Sequence, residues 1–454
     1  MKYKLLLILT LLSACTKDDD IETLFNTVQN EIQIDNVNVD LTTSSNTFNF
    51  TPTNRNYNQP HHITRNSPIS WINPHDVMIS LGRDLDVIGP DNSSPAFADW
   101  NGDGYEDFIA AVQVTDCWTC EGAKPELYLY DPNNKNFYYE EMKFTHSSNE
   151  ILNRNGIKLI GDFDLDGDPD LLFGGYEDHN TGNNDKVWIL ENNYSVDGTF
   201  IPHDLSNFIQ KNETATVDID GDGDLDIFVI QENDLVYQNK PVFLINEGNF
   251  NFTLDESRFE YYDSIDFLQL TFYHEGENNS IIFEDINNDG YIDILWNNTI
   301  DFWADEEPQE VKDMLVRKNK ILWGSDGKYS MDNQTLIPSI DGFMMIDEIE
   351  PWDFDNDGIK EIVVVRDTGS SWADAHTGVI GFYIQLLKLD NKELVDITDL
   401  IEYNTEVGKT NLAPIRFIDF DNDGYLSLSN VRNTYDVQDI YRWEWDGVSI
   451  KKHN

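Results

Sequence analysis

The stretch Asp218-Ile219-Asp220-Gly221-Asp222-Gly223-Asp224-Leu225-Asp226, followed at once by Ile227-Phe228-Val229-Ile230, decides how the rest of the chain is read. Five carboxylates in nine residues repel one another unless a cation sits among them. Oxygen ligands at alternate positions are what a hard ion such as Ca²⁺ takes. The apolar run behind them is short and bounded by turn residues, as a strand is. The stretch therefore reads as a calcium loop leading into a strand.

The nonapeptide recurs at Asp99 (DWNGDGYED), Asp162 (DFDLDGDPD), Asp285 (DINNDGYID), Asp353 (DFDNDGIKE) and Asp419 (DFDNDGYLS), at intervals of 63, 56, 67, 68 and 66 residues from Asp99 onward. Self-similarity at a near-constant period marks a repeat protein. Position one is Asp in every copy, and position three is Asn101, Asp164, Asp220, Asn287, Asp355 or Asp421. Position five is Asp103, Asp166, Asp222, Asp289, Asp357 or Asp423, and position six is always Gly, which permits a positive-φ turn that wraps the chain back on the ion. Position seven (Tyr105, Asp168, Asp224, Tyr291, Ile359, Tyr425) would offer its backbone carbonyl. Position nine is Asp107, Asp170, Asp226, Asp293 or Glu361, and Ser427 in the last copy, where the lost charge makes that site the expected weakest. An EF-hand opens in the same way but needs Glu at position twelve. That position holds Ala110, Phe173, Val229, Trp296, Val364 and Asn430, so the EF-hand reading fails. Short apolar runs such as Ile281-Ile282-Phe283 and Ile362-Val363-Val364-Val365 flank the loops, and each loop is expected to join two antiparallel strands.

With these loops, the Phe97-Ala98-Asp99 entry and its counterparts, and a spacing near sixty residues, the chain from about Ser94 resembles the FG-GAP or VCBS-type calcium-binding β-propellers, the group that includes the head of the integrin α subunit. The resemblance implies an all-β propeller of four-stranded blades, with up to six Ca²⁺ in the loops between first and second strands. It does not fix a ligand, because function lives in sites grafted on a fold. Residues 31–93 hold strand candidates at Ile32 to Leu41, Thr47 to Phe50, Ile69 to Ile72 and Val77 to Leu81. They are expected to form an unmarked blade, giving seven in total, with six blades as the alternative.

The chain has 454 residues with 84 acidic and 30 basic side chains, a formal charge of −54. Nucleic acid is excluded as a partner on charge, since phosphate demands the opposite sign. Lys2 and Lys4 precede the apolar run Leu5 to Leu12, and Leu12-Ser13-Ala14-Cys15 resembles a bacterial lipobox, which implies a signal peptide over 1–15, lipid on Cys15 and a membrane anchor. Thr16-Lys17-Asp18-Asp19-Asp20 resembles the Lys-acidic signal of surface-exposed lipoproteins of the Bacteroidetes group, so 16–30 reads as an acidic tether at the outer membrane. Cys117 and Cys120, in Cys-Trp-Thr-Cys, read as a local disulfide in an oxidising exterior.

No zinc-protease, serine-hydrolase or phosphate-loop motif is present. If each calcium loop joins the first two strands, the exits of the second strands lie at the opposite end, and there the sequence places Trp118, Tyr176, His179, Trp303, Trp372 and His376, beside Asp305 and Asp374. Flat aromatic faces next to carboxylates and amides suit sugar rings; the competing reading packs each Trp against a neighbouring blade. The expected function is a non-catalytic surface module that binds a glycan or a surface protein. The alternative is a polysaccharide-active lyase or hydrolase using the same face, since two catalytic acids among 84 would not announce themselves.

Overall fold

The computed structural model describes residue 48 and residues 50–453, apart from 65–66, 68, 70–71, 73, 82–87, 91–94, 115–123, 146–155, 175–186, 206, 208–213, 232–239, 261–280, 298–318, 331, 341–342, 344, 368–380, 408–414, 420–422 and 431–440. Within these residues the chain forms a β-propeller of six antiparallel blades. Naming the four strands of a blade A to D, blade 1 is Ala96–Ala98, Asp107–Val114, Lys124–Asp131 and Asn136–Glu140, with Ile88–Pro90 extending the A strand along the far half of B. Blade 2 is Gly156–Gly161, Asp170–Gly174, Val187–Asn193 and Thr199–Asp204; blade 3 is Thr214–Val217, Asp226–Gln231, Lys240–Asn246 and Phe252–Asp255. Blade 4 is Ile281–Glu284, Asp293–Trp296, Lys320–Leu322 and Gln334–Leu336; blade 5 is Met345–Trp352, Glu361–Asp367, Gly381–Asp390 and Glu393–Asp396, with Thr405–Val407 added beside its C strand. Blade 6 is Ile415–Ile418, Ser427–Asn430, Arg442–Trp445 and Ile450–His453. Strand order within every blade follows the chain, so A-to-B and C-to-D turns share one end and B-to-C connections leave at the other.

Alternation along each strand gives a blade two apolar faces, and consecutive blades bury them against each other. Ile109 and Leu127 of blade 1 meet Leu171 and Phe173 of blade 2. Leu172 and Ile189 meet Ile227 and Leu244 across the next seam. Between blades 3 and 4 the Phe228 ring lies 5.3 Å from Phe243, 5.1 Å from Phe283 and 6.0 Å from Trp296. Deleting such a ring costs about 3–5 kcal/mol. Blades 4 and 5 join through Leu295, Ile321, Ile362 and Val364, and blades 5 and 6 through Trp352, Val363, Phe417 and Trp443.

The expected seventh blade is not formed among the described residues: the six blades account for every sheet except a short parallel pair, Phe259–Glu260 with Tyr329–Ser330, and the described part of 48–81 does something else. Ile32 to Leu41 lies outside the described residues, and Phe48 and Phe50 are in no strand. Residues 51–60 run as an irregular strap that leads into a one-turn helix, His61–Thr64. Val77 to Leu81, read as a strand, falls mostly in the helix Pro74–Ser80, and Ile69 and Ile72 sit in turns. The physical reason is the face they cover. Phe48, Ile69, Ile72, Val77 and Met78 bury the second face of blade 1, where Phe97, Phe108, Tyr128 and Phe137 wait. An isolated apolar patch can be covered without a fourth-strand ladder, and Pro74 at the first helical position favours the helix. Arg55 completes the cover, donating to the Phe97 carbonyl at 3.1 Å and pairing with the buried Glu106 at 2.8 Å, which also holds Ser67.

The strap itself crosses the turn end of the first three blades. Thr53 N–H donates to the Gly104 carbonyl at 2.6 Å, Asp99 N–H to the Tyr57 hydroxyl at 2.7 Å, and Asp162 N–H to the Tyr57 carbonyl at 3.1 Å. Asn58 Nδ2 donates to the Gly223 carbonyl at 2.7 Å, and the His61 amide to Thr216 Oγ1 at 2.6 Å. Among the described residues no helix is long and apolar enough to cross a membrane.

Candidate metal centres

Each nonapeptide joins an A strand to a B strand, as expected, and the described residues of all six take one conformation. Asp99 accepts from Asp103 N–H at 3.0 Å and from Gly104 N–H at 2.8 Å. The same pair of bonds recurs on Asp162, Asp285, Asp353 and Asp419. Asp218 departs slightly, taking Gly221 N–H in place of the fifth amide. Oδ1 at position three accepts the amide of position five in loops 1 to 5. Oδ1 at position five accepts the amide of position seven, from Tyr105, Asp168, Asp224, Tyr291, Ile359 and Tyr425. These contacts stack successive oxygens on one side of the turn. The sixth-position glycines have φ between 83° and 100°.

Position four also adopts the left-handed conformation, which the sequence reading missed: Gly102 72°, Leu165 63°, Gly221 79°, Asn288 56° and Asn356 56°. The signal was present in the choice of Gly and Asn, the residues that tolerate this region. Two of these asparagines do more. Asn288 Nδ2 donates to the Gly358 carbonyl at 3.4 Å and Asn356 Nδ2 to the Gly424 carbonyl at 2.7 Å, linking each loop to the next.

Position nine holds a second job besides the expected ligand role. Asp107, Asp170, Asp226 and Asp293 are buried, and in each one oxygen accepts the amide of position two while the other accepts an amide at the end of strand C. For Asp226 these are Ile219 N–H at 2.9 Å and Asn246 N–H at 2.8 Å. Trp100 and Tyr130, Phe163 and Asn192, and Ile286 and Gly324 supply the pairs in the other three blades. The carboxylate thus pins loop to blade. Ser427 is too short for this and its hydroxyl accepts instead from Arg442 Nε at 3.3 Å.

Three loops bring one oxygen from each of three acids within 4.8 Å of one another: Asp162, Asp164 and Asp170; Asp218, Asp220 and Asp226; Asp353, Asp355 and Asp357. Burial, then neighbouring carboxylates, push these groups up: Asp162 to about 6, Asp226 and Asp293 to about 7, and Asp107 and Asp170 well above the usual range. Glu361 rises to about 7 through burial, against the lowering effect of Lys388. Asp224 Oδ1 and Glu361 Oε2 are buried with no hydrogen-bond partner among the described residues. An all-oxygen donor set, crowded and buried at its ninth residue, fits a hard divalent cation.

The sequence model for the FG-GAP-like repeat matches residues 162–229 and 218–296. The chain carries FG-GAP-like repeats. The matched stretches hold the second, third and fourth loops, and the loops at Asp99, Asp353 and Asp419 share the hydrogen bond from the sixth amide to the first carboxylate. A solved protein from Parabacteroides distasonis, assigned as a glycoside hydrolase, is 11% identical with a TM-score of 0.29, over 80% of this chain and 85% of its own. The fructofuranosidase from Schwanniomyces occidentalis, solved with fructose, is 9% identical with a TM-score of 0.26, over 72% of this chain and 58% of its own. Likeness that weak says nothing about activity. No curated protein matches the chain.

Asp421 lies outside the described residues, as do Cys15, Cys117, Cys120 and every aromatic or His residue expected on the opposite face: Trp118, Tyr176, His179, Trp303, Trp372 and His376. Of the described tryptophans, Trp100, Trp188, Trp296, Trp323, Trp352 and Trp443 are buried and Trp445 is half-buried.

Proposed function

We propose that this protein is a calcium-stabilised propeller, anchored to a bacterial outer membrane by lipid on Cys15 and exposed at the cell surface, that binds a glycan or a surface protein without catalysis. The observation that carries the reading is the topology. The acid-rich turns occupy one end of the blades, and connections 115–123, 175–186, 232–239, 297–319, 368–380 and 431–441 all leave at the other. Long connections on a rigid frame are where binding residues concentrate, and a fixed frame limits the entropy lost on binding. Four of these connections contain Trp118, Tyr176 with His179, Trp303, and Trp372 with His376.

Trp118→Ala, Trp303→Ala and Trp372→Ala, assayed on a polysaccharide array and by melting, test it. Each should weaken binding by about 1–3 kcal/mol with the melting temperature kept, as for an aromatic anchor. Unchanged binding with a large drop in melting temperature would make these tryptophans blade packing. Product release from acidic or neutral polysaccharides would overturn the non-catalytic reading in favour of an enzyme. Cys15→Ala should free the folded protein from the membrane fraction.

A further inference from the structure

The fifth loop differs from the rest in what stands beside its ninth residue. By the antiparallel register, the strand C residue next to position nine is Leu129, Glu191, Ile245, Trp323, Lys388 and Glu444 in blades 1 to 6. Blade 5 alone places a basic side chain there. The Lys388 ammonium lies 3.2 Å from Glu361 Oε1 and 3.7 Å from Asp357 Oδ2. Both acids belong to the loop whose Asp353, Asp355 and Asp357 converge. Glu361 is fully buried, and its second oxygen, Oε2, has no hydrogen-bond partner among the described residues.

In blades 1 to 4 the ninth residue is Asp, both oxygens are held by backbone amides, and among the described residues no Lys or Arg nitrogen pairs with them. Glu is one methylene longer. Its carboxylate meets the ammonium instead of the amide at the end of strand C.

Building on the calcium reading above, we infer that Lys388 is a tethered cation that serves the fifth loop in competition with the divalent ion, so that this site takes metal later than the four loops whose ninth residue is Asp. The ammonium already neutralises Glu361 and shares Asp357, two of the oxygens the ion needs, and like charges a few ångströms apart repel. Lys388 is also 40% exposed, so its four-carbon stem can carry the charge out to water when an ion displaces it. The fifth loop would then hold its shape at calcium levels that leave it empty, and respond only over a higher range.

Calcium titration calorimetry and thermal melts of the full chain, in chelator and in millimolar Ca²⁺, test this on wild type, Lys388→Met, Lys388→Arg and Glu361→Gln. Lys388→Met is expected to tighten one of the weaker sites by at least about tenfold. It should also melt lower than wild type in chelator but not in calcium, while Lys388→Arg behaves as wild type. An isotherm that superimposes on wild type, or a melting loss equal in both conditions, would overturn the inference and leave Lys388 an ordinary ion-pair partner. Glu361→Gln removes the carboxylate both cations share and should lower calcium uptake at this site; unchanged uptake would overturn it too, even if Lys388→Met does not fold. A wild type that takes up no calcium at all sinks the calcium reading by itself. In that event a first calcium-dependent rise in melting temperature on Lys388→Met supports the tethered cation, and no rise overturns it.

Discussion

Asp226→Ala separates the two jobs of the ninth position. The wild-type carboxylate is buried and accepts Ile219 N–H at 2.9 Å and Asn246 N–H at 2.8 Å, so the alanine variant leaves two buried amides without partners. At about 1–3 kcal/mol for each orphaned donor, the loss is about 2–6 kcal/mol when an ion has already neutralised the site. In chelator an opposing effect enters. Burial raises Asp226 from 3.8 to about 7, so holding it ionised at higher pH costs the metal-free fold on the order of 4 kcal/mol, which alanine relieves. Urea unfolding followed by circular dichroism, at about pH 8 with millimolar calcium or with chelator, should therefore show a large loss in calcium and a much smaller one without it. Equal losses would mean that no ion sits beside this carboxylate. No loss in calcium would mean that the two amides do not depend on it.

Burial also raises Asp293 and Glu361 to about 7 and Asp162 to about 6, so the metal-free fold binds these protons more tightly than the unfolded chain does. Its stability is then highest at low pH and is lost as pH climbs through the raised values; melting in chelator should improve from about pH 8 to about pH 6, and a decrease would refute the sign. Leu165 holds φ at 63° where other loops place Gly or Asn, and its side chain is 52% exposed. Leu165→Asn should stabilise by up to about 1 kcal/mol in calcium, measured by urea midpoint at unchanged slope; a loss would show that the leucine side chain contributes more than its backbone strain costs. Ser427→Asp restores a carboxylate beside Arg442 and should tighten the sixth site in a calcium titration, whereas no gain would place the defect in loop geometry.

What was legible in the sequence is what needs particular residue types at fixed local spacing. Asp at positions one and five, glycine at six and the β-branched runs behind them were enough to give loop, strand pairing and the blade repeat. The end of each blade on which the loops lie followed from that. The double role of Asp107, Asp170, Asp226 and Asp293 was not visible, because the second amide comes from the end of strand C, 20 to 31 residues on, through a register that sequence does not state. The strap was hidden for the same reason on a larger scale: Asn58 reads as an ordinary loop residue until its amide meets Gly223. Ile69 to Leu81 misled because short apolar runs do not distinguish strand from helix, although Asn73-Pro74 was a helix-start signal.

The strap also fixes how the propeller would carry a load. Phe48, where the described chain begins, donates its amide to the Lys135 carbonyl at 2.6 Å, in the C-to-D turn of blade 1, and accepts from the Tyr130 hydroxyl at 2.6 Å, and Thr53 then anchors on Gly104 inside the first acidic loop. A pull arriving from the N-terminal side is therefore taken up first by hydrogen bonds on the loop end, then passed through Tyr57 and Asn58 to the second and third loops. Shear of this kind falls on the turns that an ion would clamp, in the half of the ring formed by blades 1 to 3. The B-to-C ends of the strands lie off that line of force, so a load on the N-terminal side strains the loop end of the blades before it reaches the other end.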